Sequence, residues 1–209
     1  MSSAKQPPAP VRVAIIAGST RPGRKADTVA RWVHGIAARR GDATYEVVDL
    51  ADYGLPLLDE PVPPMAGRYQ HPHTLKWAAT VASFDAYVFV TPEYNRSVPA
   101  ALKNALDYLH AEWNDKAAGF VGYGFHGGVH AIEHLRLILG ELKIADIRSP
   151  VTLLFGDDFQ GYAEFTPRAL QEQRVTAMLD ELTAWASALQ ALRHSPAPAP
   201  GLPAVNHRG

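Results

Sequence analysis

Residues 11–37, VRVAIIAGSTRPGRKADTVARWVHGIA, contain the pattern that decides the fold. Residues 11–17 are mostly apolar and β-branched, which predicts a buried strand that ends at Gly18. A turn rich in glycine, hydroxyl and basic residues follows, and residues 27–38 then place apolar side chains at helical spacing. A buried strand, a short turn and an amphipathic helix make up the repeating unit of a parallel sheet covered by helices on both faces.

The same unit recurs along the chain. The pattern predicts strands at residues 11–17, 45–50, 85–90, 118–124 and 147–154, and helices at residues 27–38, 74–82, 100–110, 129–142 and 168–192. Five such units predict an α/β protein, a three-layer α/β/α sandwich around a five-stranded parallel sheet. Because ligands bind such sheets outside the carboxyl ends of the strands, we expect the functional residues just after the first, third and fourth strands. The prediction is one domain over residues 11–194, between disordered tails at 1–10 and 195–209 that are rich in proline and small residues.

Composition excludes several classes of function. The 209 residues carry a formal charge of −1, which argues against nucleic acid and against an anionic membrane surface as partners. The absence of cysteine excludes disulfides, thiolate metal sites and a cysteine nucleophile. No apolar run approaches the length needed to cross a bilayer, and the first ten residues lack the apolar core of a signal peptide. We therefore expect a cytoplasmic protein.

The first loop, residues 18–27 (GSTRPGRKAD), predicts a phosphate site. Glycines allow a tight turn that aims backbone N–H groups at one point, and the start of the following helix attracts anions. Ser19 and Thr20 add hydroxyl groups, and three basic side chains complete the set. The spacing differs from G-x-G-x-x-G, and Arg24 and Lys25 stand where a nucleotide-triphosphate loop has its lysine and magnesium-binding hydroxyl. A monophosphate ligand fits better, and a P-loop-like nucleotide-binding protein stays a weaker alternative.

The second loop, at the start of residues 91–107 (TPEYNRSVPAALKNALD), predicts a site for a flat ring. Two prolines stiffen it, and Ser97 is predicted to cap the following helix. A carboxylate, a phenol and an amide can hydrogen-bond the edge of a heteroaromatic ring, with Tyr94 near its plane.

Residues 92–109, PEYNRSVPAALKNALDYL, resemble the characteristic motif of the NADPH-dependent FMN reductase family. Residues 18–24 (GSTRPGR) are similar to that family's FMN-phosphate loop, and residues 54–60 (GLPLLDE) to the segment after its second strand. The resemblance covers roughly residues 11–155. It implies a flavodoxin-like fold with strand order 2-1-3-4-5, bound FMN, NADPH as co-substrate, a small-molecule electron acceptor and a homodimer or homotetramer.

The resemblance also implies the cofactor-binding residues, which lie in three loops. These are Ser19, Arg21, Arg24, Lys25, Ala26, Asp27, Pro92, Glu93, Tyr94, Asn95, Ser97, Gly124, Phe125, His126 and Gly127. Because the chemistry is expected on the flavin, no side chain is predicted to be catalytic. In the third loop, residues 122–128 (GYGFHGG), Phe125 and His126 are bulkier than the family's common pattern. His126 could contact the flavin edge or shape the pocket of the second substrate, and a polar surface residue without such a role is the alternative.

Two other interpretations remain at this point. His130 and His134 stand four residues apart and could share a metal, but the H-E-x-x-H order is absent, so we expect a solvated helix face and no metal. A flavodoxin-type electron carrier would use the same fold and cofactor without turning over NAD(P)H. The near-neutral charge argues against such a carrier, which needs an electrostatic docking surface.

Overall fold

The computed structural model describes residues 10–194. The predicted terminal tails, residues 1–10 and 195–209, lie outside the described residues except for Pro10. The strands are β1 (Arg12–Ala17), β2 (Thr44–Asp49), β3 (Ala86–Pro92), β4 (Lys116–Gly124), β5 (Ile144–Asp146), β6 (Val151–Leu154), β7 (Phe159–Gln160) and β8 (Glu164–Phe165). The α-helices are α1 (Ala26–Ala37), α2 (Pro72–Ala82), α3 (Ala100–Asp107), α4 (Val129–Glu141), α5 (Phe155–Asp158) and α6 (Ala169–His194), and short 3₁₀ helices lie at Leu50–Tyr53, Pro64–Ala66 and Ala111–Trp113.

The main sheet confirms the predicted parallel order β2-β1-β3-β4-β5. The predicted bounds of the fifth strand are wrong, because β5 and β6 both pair with β4 at this position. Ile144 pairs with Lys116, and Val151 pairs with Val121. Between these two pairings, the segment that contains β5 and β6 is two residues longer than β4. The intervening stretch contains Pro150, which has no N–H to donate to a strand ladder.

A second, unpredicted sheet is the hairpin of β7 and β8, in which Phe159 pairs with Phe165. Its strands of two residues are too short to show the alternation of polar and apolar side chains that predicts a strand.

The core lies on both faces of the main sheet. Successive β1 side chains point to opposite faces, so Ile15 packs in the cluster that includes α1 and α6, and Ile16 in the cluster that includes α2, α3 and α4. Trp77 and Trp113 are almost completely buried in the second cluster, and their indole N–H groups donate to backbone carbonyls of α3. Because β3 and β4 are buried along their whole length, they fix where the loops after them begin.

The carboxyl ends of β1, β3 and β4 meet at one edge of the sheet. The N–H of Gly18 donates to the carbonyl of Val90 at 2.9 Å, at the point where the first loop leaves β1. A Cβ at position 18 would lie 2.9 Å from Leu102 Cδ2 and 3.0 Å from the Val90 carbonyl, so only glycine lets α3 approach this closely. The predicted loops therefore lie side by side. Among the helices of residues 10–194, none has the length and apolar character needed to cross a membrane.

Candidate functional site

The first loop presents unpaired backbone donors at the start of α1. The N–H groups of Thr20 and Gly23 donate to no partner within residues 10–194, and both residues are exposed. The first N–H groups of α1, which begins at Ala26, also lack intrahelical partners by the geometry of a helix. Arg21 is exposed beside them. Free N–H groups, a helix N-terminus and a guanidinium are the donor set that an anion such as phosphate requires.

Arg24 is oriented by an ion pair that the sequence did not reveal. Its Nη2 donates to Oδ2 of Asp49, the last residue of β2, at 2.6 Å. This hydrogen bond raises the pKa of the Arg24 guanidinium above its usual value, against the opposing effect of burial. Its Nε is buried and has no partner within the described residues. Arg24 is thus held against the second strand, and its Nε remains available as a donor.

The second loop is a tight turn. Tyr94 and Ser97 exchange backbone hydrogen bonds of 2.9 and 3.1 Å, and Asn95 and Arg96 between them have positive φ angles of 50° and 65°. Two positive φ angles in succession identify a type I′ turn. The expectation that Ser97 caps α3 is wrong, because α3 begins at Ala100 with Pro99 in the cap position. Ser97 Oγ instead lies 3.0 Å from Nδ1 of His134, within hydrogen-bond distance.

Glu93 connects the second loop to the start of α4. Its carboxylate accepts the backbone N–H of His130 at 3.0 Å and lies 2.9 Å from Nδ1 of the same residue. Burial alone would raise the pKa of Glu93, but the hydrogen bonds from His130 outweigh it and lower that pKa. The expectation of a solvated helix face is therefore wrong for His130, since its ring is bonded to the loop that precedes α3.

A hydrogen bond also joins the first loop to the second. Ser19 Oγ lies 3.0 Å from the hydroxyl of Tyr94, and Ser19 is completely buried. The two loops are 75 residues apart in sequence. This contact brings the predicted phosphate donors and the predicted ring-binding residues into one site.

The third loop closes the site on the side of β4. A Cβ at Gly124 would lie 3.9 Å from Cβ of Glu93, so the end of β4 lies against the second loop. A Cβ at Gly128 would lie 2.8 Å from Cα of Gly122, which explains the need for glycine where the loop folds back. Phe125 and His126 project to solvent between these glycines. All three predicted loops thus border one edge of the sheet.

A cavity of about 250 Å³ lies beside the first loop. Its lining consists of Thr20, Leu50, Ala51, Gly54, Leu55, Ala101 and Asn104. Asn104 donates from Nδ2 to the carbonyl of Pro56 at 2.6 Å and accepts the N–H of Leu58 at 2.9 Å. The Asn104 side chain therefore holds residues 56–58, in the segment after β2, against α3. Asn104 lies in the motif of residues 92–109, but its type and position predicted no role for it. Asp49 and His130 are partners of site residues that no local pattern indicated.

Among residues 10–194, no three histidine, aspartate or glutamate side chains are grouped so that they could hold a metal ion. His130 and His134, which the spacing alone left open as a metal pair, each contact a residue of the second loop.

Comparison with known proteins points to one family. The chain is 43% identical over 135 residues to an NAD(P)H-dependent FMN reductase of Schizosaccharomyces pombe, a match that covers 64% of this chain and 68% of the relative. It is 34% identical over 152 residues to a quinone reductase of Pseudomonas putida KT2440, over 69% of this chain and 77% of the relative. A solved structure, the flavoenzyme NAD(P)H:(acceptor) oxidoreductase FerB of Paracoccus denitrificans, has a TM-score of 0.66 at 22% identity. That similarity covers 85% of this chain and 98% of FerB, and it supports the fold.

The model of one protein family, NADPH-dependent FMN reductase, matches residues 11–156. This range contains all three loops of the candidate site and the resemblance found in the sequence. The chain therefore belongs to the NADPH-dependent FMN reductase family.

Proposed function

We propose that FMN binds at the carboxyl edge of the sheet, with its phosphate in the first loop and its ring beside residues 92–97 and 124–127. The observation that carries this proposal is the 3.0 Å contact between Ser19 Oγ and the Tyr94 hydroxyl, which holds the two loops together. The proposed site lies within one FMN-binding domain, residues 11–194.

The chemistry of the first loop fits the phosphate of FMN. The free N–H groups of Thr20 and Gly23 and the start of α1 can surround the phosphate oxygens, and Arg21 and Lys25 supply positive charge. Arg24 contributes its free Nε while its other end stays with Asp49. Riboflavin, which has no phosphate, would leave these donors unpaired.

As a member of this family, the protein is a flavoprotein oxidoreductase with NAD(P)H as electron donor. Bound FMN would supply two-electron transfer between a reduced nicotinamide and an acceptor. The role of the chain is to bind and orient the ring and to leave one face open. Glu93 is occupied by two hydrogen bonds to His130, so we assign it to holding the shape of the loop and not to proton transfer.

The acceptor we propose is a small electrophile, a free flavin or a quinone. Relatives of both kinds occur among the similar proteins, an FMN reductase in Schizosaccharomyces pombe and a quinone reductase in Pseudomonas putida. We further propose a cytoplasmic location, because the reaction consumes reduced nicotinamide and needs a compartment that regenerates it.

We also propose that the protein is a homodimer or homotetramer. A groove of about 480 Å³ between α3 and α4 is lined by Val98, Leu137 and Ile138 among its apolar residues. Leu137 is 77% exposed in the single chain, and an exposed apolar patch of this kind favours burial against another surface. Light scattering at micromolar concentration tests the proposal, and a monomer would refute it.

The proposed reaction is tested by the absorption spectrum and steady-state kinetics of the purified protein. We expect a flavin spectrum after loading with FMN, and NADPH oxidation that depends on an added quinone. A protein that binds FMN but fails to oxidise NADPH would be an electron carrier instead. A protein that binds no flavin would refute the proposed site.

A further inference from the structure

Two large aromatic side chains are exposed next to the third loop. Phe125 is 72% exposed and Tyr162 is 63% exposed, although both are large enough to gain stability from burial. Their ring centroids lie 5.8 Å apart. Phe125 directly follows Gly124, the residue that lies against Glu93, so the pair extends the edge of the proposed flavin site.

Phe125 packs on a series of aromatic rings that leads into the core. Phe125 meets the ring of Phe155 edge-on at 5.2 Å, and Phe155 meets Phe159 edge-on at 5.0 Å. Phe159 is almost completely buried and lies 6.1 Å from the ring of Tyr123 in β4. Phe125, against which the ring of Tyr162 lies, is therefore joined to the core by a series of ring contacts.

Tyr162 occupies a backbone position that tyrosine seldom adopts. It follows Gly161 at the tip of the hairpin of β7 and β8, where the N–H of Ala163 donates to the carbonyl of Gln160 at 3.1 Å. Gly161 and Tyr162 have φ angles of 57° and 59°, the geometry of a type I′ turn. Glycine or asparagine suits this position best, so a tyrosine costs conformational energy there. The exposed side chain and the positive φ angle of Tyr162 therefore do not stabilise the folded state.

The base of the hairpin is firmly held. Asp158 is completely buried, and its carboxylate accepts the backbone N–H groups of Leu154 and Arg168 and the side chains of Arg168 and Gln171. The carbonyl of Asp158 accepts the N–H of Thr166 at 2.9 Å, just beyond β8. The turn that carries Tyr162 thus projects from a fixed base. A strained residue on a rigid support is the arrangement that functional sites use.

We propose that Phe125 and Tyr162 form an aromatic shelf that binds the ring of a planar aromatic electron acceptor, such as a naphthoquinone, beside the flavin. This inference rests on the proposed function, since it adds the acceptor to the same site. An unsubstituted quinone has no phosphate or ribose, so its affinity must come from its ring and two carbonyl oxygens. NADPH has many polar groups that bind elsewhere, so loss of one aromatic contact weakens its binding proportionately less.

The test compares the FMN-loaded protein with Tyr162→Asn, in which asparagine keeps the left-handed turn and removes the ring. One aromatic contact changes an equilibrium by roughly two- to twelvefold, so we expect the Kd for 1,4-naphthoquinone to rise about fivefold. This binding is measured by calorimetry without NADPH, so it does not depend on turnover. In steady state, kcat/KM for the naphthoquinone should fall about fivefold relative to kcat/KM for ferricyanide, which has no ring.

Two further variants serve as controls. Tyr162→Phe keeps the ring, so it should have the quinone affinity of the wild type and the same ratio of kcat/KM for the naphthoquinone to kcat/KM for ferricyanide. Trp185→Ala removes an exposed aromatic side chain of α6. The C-terminal end of this helix lies at the amino ends of the strands, away from the site, since Arg193 pairs with Asp85 just before β3. Trp185→Ala should leave the ratio unchanged.

The proposal is overturned if Tyr162→Asn binds the naphthoquinone as tightly as the wild type. It is also overturned if the variant loses affinity for FMN itself, which would make Tyr162 part of the flavin site, or if both acceptors slow equally. Failure of the proposed function can be distinguished from failure of this inference. Calorimetry measures quinone binding even if the protein oxidises NADPH with no acceptor.

Discussion

Substitution of Glu93 tests whether this residue holds the shape of the second loop or transfers protons. In Glu93→Ala, the N–H and Nδ1 of His130 lose their acceptor, and the carboxylate that is lost is only 11% exposed. Hydrogen bonds to an ionised group contribute about 1.5–3 kcal/mol each, so the loss of two should lower the free energy of unfolding by at least about 3 kcal/mol. Affinity for FMN should fall with it, because the second loop loses its tie to α4.

Glu93→Gln is the matched variant. Its carbonyl oxygen can still accept the N–H of His130, and its amide group can donate to Nδ1 if the imidazole adopts the other tautomer. We expect a loss of about 1 kcal/mol in unfolding free energy, since the bonds remain but the charge is gone. FMN affinity and most of the turnover should be retained, with no new pH dependence of the reaction.

The assays are urea unfolding followed by circular dichroism and FMN binding followed by fluorescence quenching. The pKa of Glu93 is lowered in the folded protein, so its stabilising effect is present above the usual pKa of a glutamate. The difference in stability between wild type and Glu93→Gln should therefore shrink as the pH falls through the folded pKa. Loss of turnover in Glu93→Gln with unchanged FMN affinity would show that Glu93 transfers protons and would refute this reasoning.

Two other side chains give predictions on stability. Burial lowers the pKa of Lys116 to about 8, so its charged form weakens the fold at neutral pH. The amine loses its proton at lower pH in the folded state than in the unfolded chain, so wild type should gain about 2 kcal/mol of unfolding free energy relative to Lys116→Met between pH 8 and 10. Urea titrations of both proteins at the two pH values measure this gain. A difference in stability that stays constant with pH would contradict the prediction. Asn104→Ala removes two hydrogen bonds to residues 56–58 and should cost about 1 kcal/mol. Faster hydrogen exchange at the amide of Leu58 would report the released segment, whereas unchanged exchange would show that other contacts hold it.

Much of the fold could be predicted from the sequence, because buried parallel strands are short apolar runs that a helix pattern separates. The ends of elements were less certain for local reasons. The fifth strand divides where Arg148, Ser149 and Pro150 interrupt the apolar run, and β5 before them carries only three residues. The predicted third helix extends beyond the observed one, which ends at Asp107 before a short 3₁₀ helix.

The position of the site could also be predicted, because parallel topology places the ends of β1, β3 and β4 at one edge. The pairings within it could not. Ser19 and Tyr94 are 75 residues apart, and Glu93 and His130 are 37 apart, and no local pattern links such partners. Arg24 illustrates the same limit. Its charge predicts a phosphate contact, but no local pattern indicated that its Nη2 is paired with Asp49 of β2.

The most direct test of the central claim is a comparison of FMN and riboflavin binding in wild type and Arg21→Ala. Arg39→Ala is the control, because it removes the same charge just beyond the far end of α1, about 18 Å along the helix from the first loop. A hydrogen bond between charged groups contributes about 1.5–3 kcal/mol, so Arg21→Ala should weaken FMN binding at least about tenfold and leave riboflavin binding nearly unchanged. Equal losses for the two flavins, or the same FMN loss in Arg39→Ala, would contradict the assignment of residues 18–25 to the phosphate.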